Sequence, residues 1–89
     1  MLHIEKTSSD RYFNTFCVEG LSVAEMNAVL NARENGLDDR DVLVSVMGKH
    51  DNDSDYGKNI AEGWRRGYGI YEIRHVGGHL FVQVGNNCD

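Results

Sequence analysis

Residues 68–84 read YGIYEIRHVGGHLFVQV, two β-rich runs parted by Gly77-Gly78. Two glycines tolerate the positive φ angles of a tight hairpin turn, so the stretch predicts a β-hairpin. With those residues as the loop, Val76 faces His79, His75 faces Leu80, Ile73 faces Val82 and Tyr71 faces Val84. Side chains alternate along a strand, so Tyr71, Ile73, His75, Leu80, Val82 and Val84 share one face. Glu72, Arg74, Val76, His79, Phe81 and Gln83 share the other. The first face is apolar and the second mixed. A lone hairpin is marginal in water, so the remainder of the chain must cover the apolar side.

The 89 residues suit one domain, and 40% hydrophobic content suffices for a small core. Acidic side chains number 14 against 9 basic, a net charge of −5. Nucleic-acid binding draws its affinity from Lys and Arg neutralising phosphates, so this balance argues against direct DNA or RNA contact. It favours a protein partner with a basic surface. No stretch approaches the ~20 apolar residues of a membrane span, and MLHIEKTSSD lacks the features of a signal peptide. Cys17 and Cys88 are too few for a disulfide framework. A reduced, cytoplasmic protein is therefore expected, in which a Cys17–Cys88 bridge is disfavoured.

Leu2, His3, Ile4 and Glu5 alternate as in a short strand, and residues 11–19 offer a second, giving an N-terminal hairpin. Ser22 and Glu25 form an S-x-x-E capping box, and Leu21 and Met26 have the spacing of a hydrophobic staple. Val23, Met26, Val29 and Leu30 make a helical stripe that predicts a helix from Val23 to Asn35, stopped at Gly36. Residues 42–47, VLVSVM, carry apolar side chains on both alternating faces and read as a central strand, parallel to the second through a right-handed crossover. A second helix is expected from Lys58 to Arg66, with Trp64 as its core anchor and Gly63 weakening it. These elements add up to one small two-layer α+β domain of order β-β-α-β-α-β-β. Its sheet has about five strands, mixed or antiparallel, with both helices on one face.

The acidic loop GKHDNDSDYG, residues 48–57, carries the sharpest local pattern. Counting from Asp51, the carboxylates of Asp51, Asp53, Asp55 and Glu62 fall at positions one, three, five and twelve. The spacing resembles the calcium-binding loop of EF-hand proteins, which implies calcium as a candidate ion. Tyr56 stands where that loop needs glycine, Lys58 where it needs an apolar residue, and a strand is expected before it. The competing reading is a solvated turn in which Asp55 caps the second helix. His75 and His79 point to opposite hairpin faces and cannot share a metal. Cys17, inside a strand, reads as a small buried hydrophobe, and no nucleophile–base pair or phosphate loop is visible.

A non-enzymatic protein-binding module is thus the expectation, with a calcium module and a small enzyme or ligand-binding domain as alternatives. Asp38, Asp39 and Asp41, and then Asp51, Asp53 and Asp55, supply clusters that attract a basic partner. Phe81 and Arg74 on the mixed hairpin face supply an anchor and its polar rim. In size and charge the chain resembles small inhibitors carried by phages and other mobile elements, anti-CRISPR and immunity proteins among them. Those groups share no fold or motif, so the resemblance implies occupation of a partner's surface and no site residues. Edge strands also make a homodimer an expectation to weigh.

Overall fold

Gly77 and Gly78 adopt φ angles of 57° and 80° and close the C-terminal hairpin. The computed structural model describes residues 1–85 of the 89, so Cys88 and its bridge to Cys17 lie outside the described residues. In chain order the elements are β1 (His3–Ser9), β2 (Phe13–Glu19), α1 (Val23–Leu30), a 3-10 turn (Arg33–Asn35), α2 (Asp39–Met47), α3 (Tyr56–Arg65), β3 (Ile70–Val76) and β4 (His79–Gly85). The fold is α+β: a four-stranded antiparallel sheet ordered β1-β2-β4-β3, with three α-helices among the described residues.

Within the hairpin, Val76 lies opposite His79, His75 opposite Leu80 and Ile73 opposite Val82. The expected Tyr71–Val84 pair is replaced. A register shift between Ile70 and Glu72 sets Ile70 opposite Val84. Ile70 is then buried and Tyr71 62% exposed, its ring against Phe13 at 4.9 Å between centroids. A bulge of this kind lets the aliphatic side chain take the core position while the phenol keeps its water.

The main correction falls on residues 42–47. They form the body of α2, so among the described residues the sheet has four strands rather than five, with no parallel crossover. Asp38 is the N-cap: its carboxylate accepts from the Arg40 backbone N–H at 2.9 Å, and Asp39 and Asp41 occupy the first turn. Leu43, Val46 and Met47, spaced i, i+3 and i+4, are the residues α2 buries. Three valines lower helix propensity by at most about 0.7 kcal/mol each. Burial of the helical stripe outweighs that, since each core side chain contributes about 1.5–3 kcal/mol.

The capping box at Ser22 and Glu25 forms as expected, but α1 stops at Leu30, and the 3-10 turn carries the chain on to Gly36. At α3 the N-cap Asp55 makes no side-chain capping bond; Ser54 Oγ accepts from the Tyr56 N–H at 3.4 Å instead. Trp64 is half-buried rather than a full core anchor. Its Nε1 donates to Asp41 Oδ1 at 2.6 Å and the Arg40 guanidinium lies 4.7 Å from its ring, which clamps α3 to α2.

The start of the acidic loop is zipped to the first strand. The Leu2 N–H donates to the Asp51 carbonyl at 2.6 Å, and the Asp53 N–H donates to the Leu2 carbonyl at 3.0 Å. Two α3 glycines then make opposite demands. A Cβ at Gly57 would lie 2.6 Å from Asn52 Oδ1 and 2.9 Å from Ile4 Cδ1; one at Gly63 would meet Tyr68 at an ordinary 3.5 Å. In urea unfolding, Gly57→Ala should destabilise by about 1–3 kcal/mol, because Asn52 and Ile4 are both tied down. Gly63→Ala should stabilise by about 0.5–1 kcal/mol through helix propensity.

Candidate functional site

The register of the sheet decides which side chains meet. Ile4, Val18, Leu80 and His75 form one row across the strands, and Lys6, Phe16, Val82 and Ile73 the next. These rows face the helices and, with Leu2, Val29, Leu43, Met47 and Ile60, build the core. The other face follows from the alternation of side chains. One row there runs Glu5, Cys17, Phe81 and Arg74, and a second runs Thr15, Gln83 and Glu72. His3 lies opposite Glu19, and Val76 opposite His79, in a third. Among the described residues no helix packs on this outer face.

Of the sequence-predicted site residues, the structure brings Phe81 and Arg74 together there. Arg74 Nη2 donates to Glu72 Oε2 at 3.0 Å, and a depression of about 50 Å³ lies between Arg74, Phe81, Thr15 and Gln83. Small-molecule pockets run to about 300 Å³ and more, so this is a dimple on a broad surface.

The aspartates are largely engaged within the molecule. Arg40 holds the Asp38 carboxyl down at about 2, through hydrogen bonds from its side chain and then its backbone N–H. Asp39 lies 3.5 Å from Arg33, and Asp41 receives the Trp64 indole. Asp53 Oδ2 meets the His3 ring and Oδ1 accepts from the Ile4 N–H at 3.2 Å. Asp51, Asp55 and Glu62 are exposed, with Glu62 on α3 beside Lys58 and Arg65 in a groove under Met47.

Among the described residues, one group of three side chains brings metal-ligating atoms within 4.8 Å of one another: Cys17, Glu19 and His79. The loop carboxylates of the calcium pattern are not gathered in this way, since Asp53 turns toward β1. β2 presents Cys17 and Glu19 two residues apart on the outer face, and His79 opens β4 beside Glu19. Cys17 Sγ donates to Glu19 Oε1 at 3.7 Å, and His79 Nδ1 lies 3.2 Å from the same oxygen. Burial pushes the Cys17 thiol above its ordinary value, and the negative charges of Glu19 and Glu5 add to the rise. It therefore keeps its proton at neutral pH, unlike an activated nucleophile. The C-x-E spacing on a strand was the one local sign of this cluster; His79 joins it only through the non-local β2–β4 pairing.

Compared with known proteins, the chain matches no family model, no curated protein and no solved structure.

The His3–Asp53 clip ties the acidic loop to the outer face and gives a pH signature. Its hydrogen bond to Asp53 raises the His3 pKa above 6.5 and lowers that of Asp53 below 3.8. The histidine's contribution is complete below pH 6.5 and is lost as pH rises through the raised folded value; the carboxylate's is present above pH 3.8 and lost as pH falls through the lowered one. The difference in melting temperature between the wild type and His3→Ala should accordingly be largest in mildly acid buffer. It should shrink on going alkaline, and a difference that grows there would refute the clip.

Proposed function

We propose that the protein is a binding module without chemistry of its own, an inhibitor or regulator that occupies a basic surface on a partner protein. The observation that carries this reading is the open outer face of the sheet. Phe81 stands at its centre between Cys17 and Arg74, and Val76, 59% exposed, stands at its margin. Aromatic and Arg side chains are the usual anchors of protein interfaces, and an aromatic among polar neighbours needs little rearrangement to be buried. Charge gives the partner its sign. Glu5, Glu19 and Glu72 lie on this face against Arg74, which is already paired with Glu72.

The loop extends that field. His3, opposite Glu19, holds Asp53, so the exposed Asp51 begins where the outer face ends. Such a field steers encounter and weakens with added salt. In this reading Asp38, Asp39 and Asp41 serve α2 and its neighbours, and the surface that meets the partner is the sheet.

Affinity capture from the native host with the tagged full chain tests it. One basic protein should be recovered, with retention falling as salt is raised. Phe81→Ala, and separately the pair Glu5→Lys with Glu72→Lys, should weaken recovery at least ~10-fold, the loss of one interface anchor. Reversal at Asp51 and Asp55 should mainly slow association. A partner retained equally by both face variants would reject the outer face as the interface.

A further inference from the structure

The outer face also carries, among the described residues, a gathering of three ligating atoms whose joint chemistry the binding reading leaves unused. Cys17, Glu19 and His79 offer one thiol sulfur, one carboxylate and one imidazole nitrogen. The sulfur–oxygen and oxygen–nitrogen separations are 3.7 and 3.2 Å. Zinc with its usual bond lengths in a tetrahedron spaces such ligand atoms about 3.3–3.6 Å apart. Two edges of the tetrahedron are therefore close to their working lengths before any ion arrives. The backbone supplies this geometry, with Cys17 and Glu19 on one strand and His79 on its hydrogen-bonded neighbour, so little chain entropy is lost on binding.

We propose that Cys17, Glu19 and His79 form a binding site for a zinc-class divalent cation, with a fourth coordination position facing away from the sheet. Ligand chemistry sets the class. Thiolate and imidazole select zinc and its softer neighbours, whereas calcium and magnesium want oxygen throughout. The surroundings are suitable: Cys17 is 9% exposed, whereas Glu19 and His79 have side chains 51% and 56% exposed, so the ion has a buried base and an open approach. Glu5, opposite Cys17 on β1, adds negative charge to the same row. On binding, the Cys17 proton passes to the solvent and the sulfur lone pair becomes the metal bond.

The test uses the isolated full chain carrying Cys88→Ser, with its tag removed and a non-thiol reductant present, so that any sulfur signal belongs to Cys17. Cobalt(II) should bind one to one, with a sulfur-to-metal charge-transfer band in the near ultraviolet, and zinc should displace it and raise the melting temperature. Cys17→Ser should abolish the band. Glu19→Gln and His79→Ala, at exposed positions that leave the core intact, should each weaken binding at least ~10-fold. His75→Ala, on the other face, should leave it unchanged. No sulfur band on adding cobalt, or affinity indifferent to both Glu19→Gln and His79→Ala, would overturn the site. No partner is present in these titrations, so their outcome is independent of the binding reading above.

Discussion

The antiparallel pairing of β2 with β4 is the constraint on which the rest of the molecule depends. Phe16 lies opposite Val82 and Val18 opposite Leu80, and these four side chains are 6%, 0%, 1% and 0% exposed. Each contributes about 1.5–3 kcal/mol by leaving water, so this register is strongly preferred over its neighbours. A slip of one residue would turn the two on the slipping strand outward. Because the period of a strand is two, the same burial places Cys17, Glu19, Phe81 and Gln83 on the outside. Stability of the core and composition of the outer face are thus one fact seen from two sides.

The helices complete the inner side with few residues. Val29 of α1, Leu43 and Met47 of α2, and Ile60 of α3 reach the sheet's buried rows. Polar clips then hold the connections. Glu25 meets His50 Nε2 at 2.8 Å and also closes the α1 capping box through the Ser22 N–H at 2.9 Å. That hydrogen bond from Ser22, and then the one from His50, keep the Glu25 carboxyl below its ordinary range. One carboxylate thereby ties the start of α1 to the segment leaving α2. The Leu2–Asp51 and Asp53–Leu2 backbone bonds do the same for the loop and the edge of β1.

Local signals made part of this architecture legible. Gly77-Gly78 specifies its own turn, and the Ser22–Glu25 box specifies its own helix start, because the determining groups lie within a few residues of each other. Residues 42–47 misled for the converse reason. VLVSVM satisfies both a two-residue and a 3.6-residue period, and β-branched valines tilt a local reading toward a strand. The acidic cap at Asp38 and the partners of Leu43, Val46 and Met47 decide for a helix, and those partners are distant in sequence. The aspartate clusters misled in another way: composition counts carboxylates but does not show that Arg40, Trp64 and His3 already hold three of them. The cluster of Cys17, Glu19 and His79 was least legible, since it exists only once β2 and β4 are paired.

Charge on the outer face therefore needs separate treatment from the net charge of −5. Asp38, Asp39, Asp41 and Asp53 contribute to the long-range field but have their near-field oxygens taken by neighbours, whereas Glu5, Glu19 and Glu72 act at contact distance on the sheet. A divalent cation held by Cys17 would displace one thiol proton and so change the local charge by about one positive unit. Cys17 lies directly opposite Phe81, at the centre of the surface proposed to meet a basic partner. Metal occupancy and attraction of a cationic surface would oppose one another electrostatically. An open fourth position acts in the other direction, since a histidine or carboxylate from the partner could enter it and replace attraction at a distance with a directed bond. The strand register confines that position to the end of the face where Glu19 and His79 lie.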